Sequence, residues 1–377
     1  MFEPRSWIYW NLGSSCIRRY DLMNNMRSLI LLPLFFIVST NVSGRSVEAG
    51  GDNTIVDPFS VAFDKDGILY GVEYVRSNRV FRIGKFGQIS IIAGIQSNTA
   101  QKKGDQGAAD GPDPLLANFN GMHDLAIGPD GSIYLADAFN SRVRKIDGAS
   151  GELSTIAGTG APGFSGDGGP ADLAQVGQVH CLSFNEDYSR LYLTDLPNRR
   201  IRMIEMESGI ISTVAGNGET GVPEDRAVAV EAPLLDPRAV LAGNDSKVYI
   251  LSRRGNALRI LGPGGRTRTI VNASGEKGYS GDGGDSLLAT MNGPKHLALD
   301  PQGRILITDT ENHCIRRYDP VSGIIELVAG VPGVRGSTSS DNPLEVQMDR
   351  PHGARVHNGW IYISDSENDR VVWFPYK

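Results

Sequence analysis

A five-residue string returns six times along this chain of 377 residues, and the recurrence constrains the fold more than any other feature. Most copies carry branched aliphatic residues around a tyrosine and close on an acidic residue. The closing residues of successive copies lie 64, 58, 57, 57 and 56 positions apart. The copies occupy residues 69–73, 133–137, 191–195, 248–252, 305–309 and 361–365. A repeat of this length indicates an array of one supersecondary unit.

Each unit is predicted to contain four short strands. In the second unit an apolar strand at 125–127 is followed by Pro129-Asp130-Gly131, and Asp-Gly is a strong hairpin signal. Two further strands follow, and residues 153–158 form a fourth with β-branched residues. Short strands in a fixed long repeat predict an all-β fold, a six-bladed β-propeller with four-stranded blades around a central channel.

The last unit lacks its fourth strand. Five units carry that strand, but the sixth ends at Lys377 soon after its third strand at 370–374. An open edge strand invites pairing with other chains, and proteins avoid it. We therefore expect an N-terminal strand within residues 45–56 to close the last blade.

The amino terminus is predicted to be a targeting segment. Residues 1–25 form an upstream extension, and residues 26–44 form a signal peptide whose apolar run, 29–38, is too short for a stable membrane span. The propeller then occupies residues 45–377. We expect a monomer that is secreted to an extracellular or periplasmic location. The net charge of −6 and the pI near 5.6 argue against nucleic acid as a partner.

Aligning the first strands of the six units brings unusual residues to equivalent positions. One position holds Phe59, His123, His180, Arg238, Lys295 and His352, and the next holds Ser60, Asp124, Cys181, Ala239, His296 and Gly353. Four of the six histidines of the chain fall in these two rings. First strands of a propeller lie innermost, so both rings are expected at the channel mouth.

The units resemble NHL repeats over about residues 57–377, with the acid and asparagine of that family at Asp137 and Asn140, Asp309 and Asn312, and Asp365 and Asn368. The linkers 163–169 and 278–284 are similar to those of secreted bacterial members. The resemblance implies a propeller that binds proteins, peptides or RNA and only occasionally acts as an enzyme. We interpret the acid and the asparagine as structural, because they can bond to turn backbone.

A second, more distant resemblance concerns chemistry. The amidating lyase that cleaves peptidyl-α-hydroxyglycine is a similar propeller with metal-binding histidines from separate blades. That resemblance implies zinc as a cofactor, with His123, His180 and His352 as ligands and an open fourth position. No catalytic residue is assigned, because the tyrosine and arginine of that lyase have no counterpart here.

Two functions therefore follow from the sequence. The first is a secreted platform that binds a protein, a peptide or a small anionic ligand. Its contact residues would be His123, Asp124, His180, Arg238, Lys295, His296 and His352. The alternative is a metal-dependent lyase or hydrolase that uses the histidine ring.

Overall fold

The computed structural model describes residues 46–47, 54–95, 110–244 and 246–377. These ranges contain twenty-five strands and six single-turn 3-10 helices, joined by turns and loops. The predicted extension at 1–25 and signal peptide at 26–44 lie outside the described residues. Within the described part of the chain, no helix has the length and apolar character needed to cross a membrane.

The strands of the N-terminal segment and blades one to three are β1 (Ser46–Val47), β2 (Pro58–Phe63), β3 (Leu69–Glu73), β4 (Val80–Ile83), β5 (Ile89–Ala93), β6 (Met122–Ile127), β7 (Ile133–Asp137), β8 (Arg142–Ile146), β9 (Leu153–Ala157), β10 (Val179–Phe184), β11 (Arg190–Asp195), β12 (Arg200–Glu205) and β13 (Ile211–Ala215). Those of blades four to six are β14 (Pro237–Ala242), β15 (Val248–Ser252), β16 (Ala257–Leu261), β17 (Thr267–Val271), β18 (Gly284–Asp285), β19 (His296–Leu299), β20 (Ile305–Asp309), β21 (Cys314–Tyr318), β22 (Ile324–Ala329), β23 (Gly353–His357), β24 (Trp360–Asp365) and β25 (Arg370–Pro375). The 3-10 helices are Pro114–Leu116, Ala138–Asn140, Ala171–Leu173, Ser286–Leu288, Thr310–Asn312 and Ser366–Asn368.

Six antiparallel sheets follow one another around the molecule, which confirms the six-bladed β-propeller. Blades one to four are β2–β5, β6–β9, β10–β13 and β14–β17, each a meander of four strands. Blade five runs from β19 to β22 and gains the two-residue strand β18 at its outer edge. The five predicted fourth strands are observed as β5, β9, β13, β17 and β22, and the one predicted at 153–158 matches β9 to within one residue.

The last blade is closed by the N-terminal strand, as predicted. In β1, Ser46 lies opposite Val372 and Val47 lies opposite Val371, so β1 is antiparallel to β25. A buried apolar cluster also crosses this seam, because Val61 and Phe81 of blade one lie with Val371 of blade six. The closing strand and this cluster together join the two ends of the array.

The core lies between blades. Val143 of blade two and Leu191 of blade three share one buried cluster, and Val72 of blade one shares another with Leu135 of blade two. Each blade therefore buries its apolar faces against its two neighbours, the arrangement by which repeat proteins distribute a large core.

The repeated acid and asparagine are structural, as interpreted. Asp137 accepts a hydrogen bond from the Asn120 amide at 2.8 Å, and Asp309 accepts one from the Asn292 amide at 2.8 Å. The Nδ2 atom of Asn140 donates to Asp137 at 2.9 Å and to the Asn118 carbonyl at 3.0 Å. These side chains hold the segment that enters each inner strand, and so they fix where that strand begins.

Candidate functional site

Irregular pairing at the start of the inner strands sets the direction of the ring side chains. In blade two, Met122 pairs with Asp137 and Leu125 pairs with Leu135, which leaves one extra residue on the inner strand. The register also shifts at the same position in blades one, three and four. Such bulges re-aim side chains and are common beside functional sites.

The aligned residues at the position of His123 are called the first ring. Its four aromatic side chains form an arc across blades six, one, two and three. His352 stacks on Phe59 with centroids 3.8 Å apart, and His123 stacks on His180 at 3.9 Å. Phe59 meets His123 edge-on at 5.2 Å, which joins the two stacks. All four residues are buried, so this arc forms a packed wall of the mouth.

Blades four and five complete the ring with cations. Lys295 lies with its Nζ atom 3.1 Å from Nε2 of His352 and 3.1 Å from Oε1 of Glu311. Arg238 is only 4% exposed, yet its Nε and Nη1 atoms have no hydrogen-bond partner among the described residues. A buried cation without partners carries a large desolvation cost. Arg238 is therefore the residue of this site whose burial costs the most free energy without compensating hydrogen bonds.

The second ring is organised around Asp124. This buried carboxylate accepts hydrogen bonds from the Ser60 hydroxyl at 2.6 Å and from the Leu182 amide at 2.9 Å, and it lies 3.6 Å from Nε2 of His296. It thereby connects blades one, two, three and five. Arg355 of blade six adds a hydrogen bond from Nε to the Val61 carbonyl at 3.3 Å. Asp124 and its neighbours thus form a polar layer one residue further along the inner strands.

The charge of the mouth comes from Arg238 and Lys295. Burial lowers the pKa of His123, His180 and His352 well below its ordinary value, and the neighbouring cations lower it further. These imidazoles are therefore neutral near pH 7. Burial also lowers the pKa of Arg238 to about 10 and that of Lys295 to about 8, and both stay largely protonated at that pH.

Asp124 keeps its charge in the same surroundings. Burial alone disfavours its ionised form, but His296, Arg355 and the Ser60 hydroxyl outweigh burial and hold the pKa of Asp124 well below its usual range. Burial lowers the pKa of His296, although Asp124 opposes that change. The described polar layer thus carries one buried carboxylate under a cationic mouth.

The predicted zinc ligands do not converge in this arrangement. His123 and His180 meet face to face, and His352 is stacked on Phe59 with its Nε2 atom beside Lys295. Across the described residues, no group of three or more His, Cys, Asp or Glu side chains is placed to hold a metal ion. Zinc coordination by the three histidines would require them to leave these stacks. Zinc binding, and the lyase or hydrolase alternative that depends on it, stays a prediction that metal analysis of untagged protein can test.

Sequence reasoning missed the rim of the mouth. The two residues after the closing residue of each second strand follow at this end of the blades and differ from blade to blade, and Ala138, Thr310 and Ser366 among them are buried. The six pairs are Tyr74 and Val75, Ala138 and Phe139, Leu196 and Pro197, Arg253 and Arg254, Thr310 and Glu311, and Ser366 and Glu367. The rim is aromatic or apolar in blades one to three, whereas charged residues appear in blades four to six. Extending the alignment of the six units to the two residues after each second strand would have revealed this pattern.

Comparison with known proteins places the chain among NHL proteins. A family model described as the NHL repeat matches residues 291–318, within blade five, and one described as the teneurin NHL domain matches residues 38–147. The chain is an NHL-repeat β-propeller. Both models match the repeat that builds the blades, so the assignment concerns the scaffold.

Relatives of this NHL propeller are longer proteins. It is 25% identical over 285 residues to Protein SUPPRESSOR OF QUENCHING 1, chloroplastic, of Arabidopsis thaliana, a match that covers 71% of this chain and 26% of that protein. It is 25% identical to NHL repeat-containing protein 2 of Homo sapiens, with 68% and 39% covered. This chain therefore spans well under half the length of both relatives.

A solved structure supports the same fold. The crystal structure of an auxiliary nutrient binding protein from Bacteroides thetaiotaomicron superposes with a TM-score of 0.61 at 12% identity. The match covers 88% of this chain and 75% of that one. At this identity the likeness shows a shared propeller fold.

Proposed function

We propose that this NHL propeller is an exported binding platform whose mouth captures the anionic group of a protein, a peptide or a small ligand. The observation that carries the proposal is Arg238, a buried cation with two unpartnered nitrogen atoms among the described residues. An anion that entered the mouth would supply the missing acceptors. Charge-assisted hydrogen bonds of this kind are among the stronger polar contacts in proteins.

The neighbours of Arg238 support the same assignment. The positive charge of Arg238 lowers the pKa of His123, His180, Lys295 and His352, the other four titratable residues of the first ring. Both nitrogens of His180 and Nδ1 of His352 are buried without a hydrogen-bond partner in the described ranges. Neutral imidazoles can donate to an anion as well as accept. The mouth thus presents a cation surrounded by further open donors.

The test uses acetate and inorganic phosphate as probes, with binding measured by calorimetry and by the shift in melting temperature. We expect saturable binding of at least one probe by the natural protein and loss of that binding in Arg238→Met. Added potassium chloride should weaken the binding, because screening acts on charge attraction.

Arg259→Met is the matched control. Arg259 is also buried and has an unpartnered Nε atom, but it lies on β16, the third strand of blade four, away from the inner strands. It should bind the probes as the natural protein does. Identical responses from all three proteins would refute anion capture by the mouth.

A further inference from the structure

The mouth has two chemically different sides, which the rim residues extend toward solvent. On one side, Tyr74 of blade one stacks on Phe59 with centroids 4.2 Å apart. Tyr74 also meets Phe139 of blade two at 6.0 Å and the His123 ring at 4.8 Å, in both cases edge-to-face. Tyr74 and Phe139 are only partly buried. This aromatic side is suited to hold a flat apolar group.

The other side carries charges, and most of them are already paired. Arg253 donates from Nε to Asp236 at 2.7 Å, and Arg350 donates from Nη2 to Glu311 at 2.7 Å. Glu311 also pairs with Lys295.

Arg238 differs from these cations, because both Nε and Nη1 are buried without a partner in the part of the chain described. Among the described cations of this side, Arg238 is the one with no carboxylate at ion-pair distance, so a ligand with a single negative charge is sufficient to pair it.

The two sides lie within electrostatic range of each other. The pKa of Tyr74 is raised chiefly by burial, and the positive charge of Arg238 opposes that rise. Arg238 acts in the same way on His123, the ring that contacts Tyr74 edge-on. Contacts join the two sides as well, because Tyr74 meets His123, His123 stacks on His180 at 3.9 Å, and the inner strand of His180 packs against that of Arg238. This arc of side chains leads from the aromatic side to the strand that carries Arg238.

We propose that the ligand of the mouth is an aromatic monocarboxylate, with its ring against Tyr74 and Phe139 and its carboxylate on Arg238. This inference rests on the proposed anion capture and adds the class of ligand. The same chemistry is present in a free aryl-alkyl acid and in a peptide whose last residue is Phe, Tyr or Trp. The rings supply affinity through burial and edge-to-face contact, and Arg238 supplies the requirement for charge.

The experiment compares 3-phenylpropanoate, propanoate and 3-phenylpropanamide by calorimetry with the full propeller. We expect 3-phenylpropanoate to bind at least about tenfold more tightly than propanoate, a difference that one buried aromatic contact can supply. The amide should bind at least about tenfold more weakly than the acid, because it lacks the charge that Arg238 requires.

Variants separate the two sides. Tyr74→Ala and Tyr74→Leu should both remove the advantage of 3-phenylpropanoate over propanoate, and the second variant keeps more apolar side-chain volume if the first folds poorly. Tyr188→Ala is the control, because Tyr188 lies in the turn between β10 and β11, at the opposite end of the inner strand from the mouth. It should bind all three probes as the natural protein does.

A peptide arm distinguishes the two sources. Acetyl-Ala-Ala-Phe with a free carboxylate should bind more tightly than 3-phenylpropanoate if the ligand is a peptide end, and more weakly if it is a free acid. Equal binding of propanoate and 3-phenylpropanoate, lost in Arg238→Met, would overturn the aromatic assignment and leave anion capture intact. Failure of every probe would overturn both.

Discussion

Three buried arginines of this propeller meet two opposite kinds of surroundings. Arg202 of blade three and Arg316 of blade five are fully buried on third strands, and oxygen atoms surround their guanidinium groups. In Arg316, Nε donates to Asp282 at 2.9 Å, Nη1 to the Thr290 carbonyl at 2.7 Å and Nη2 to the Ser280 carbonyl at 2.8 Å. Arg238 at the mouth has two nitrogens without any such partner among the described residues.

The glycine-rich linkers explain the difference. Asp282 and its counterpart Asp167 come from the two linkers, which fold back over the arginines of blades five and three. Gly281 has φ +89°, and a Cβ there would lie 2.7 Å from the Cα of Ala289, so only glycine allows this path. The described loops place no carboxylate on Arg238. Arg202 and Arg316 thus have acceptors from the linkers of their own chain, whereas two nitrogens of Arg238 have none among the described residues.

The largest expected effect on stability comes from removing an arginine that a glycine-rich linker covers. Arg316→Met should lower the free energy of unfolding by about 3–5 kcal/mol, because it removes the cation beside Asp282 and the buried Asp309 and leaves two backbone carbonyls without their donor. Chemical denaturation of both proteins measures it. Arg190→Met is the control, since the Arg190–Glu205 pair is exposed and such pairs contribute little. A loss below that of the control would mean that the linkers do not depend on these arginines.

The second prediction concerns pH and Lys295. Burial, opposed by Glu311, lowers the pKa of Lys295 from 10.5 to about 8. Between those values the unfolded chain binds more protons, so the unfolding free energy should rise with pH by up to about 3 kcal/mol. Affinity for the anion should fall over the same range as the charge is lost. Lys295→Met should flatten both profiles, and a natural protein with flat profiles would contradict the assignment.

The smallest predicted effect is a gain in stability, opposite in sign to the loss expected for Arg316→Met. Arg238→Met should raise the free energy of unfolding by about 1–3 kcal/mol in the absence of ligand, because it removes unsatisfied buried donors. Denaturation of the two proteins in anion-free buffer measures it. Arg259→Met should change stability less, because only one nitrogen there is orphaned. A loss as large as that of Arg316→Met would show that Arg238 is structural, and the comparison would fail.

The sequence alone determined the architecture. Alternating apolar residues, turn signals and a repeat of nearly constant length predicted six blades, the positions of their strands and the need for a closing strand, which the structure places at Ser46–Val47. These signals are local or periodic, so they can be read without coordinates. The same alignment brought His123, His180, Arg238, Lys295 and His352 together in one ring.

Only the tertiary structure decided what that ring can do. The stack of His123 on His180, the pairing of Lys295 with Glu311 and the orphaned nitrogens of Arg238 depend on where side chains from different blades meet. Position in a repeat does not reveal whether a linker returns to cover an arginine, because the path of that linker is set by packing. The contact between Tyr74 and Phe139 likewise depends on how blades one and two meet around the channel.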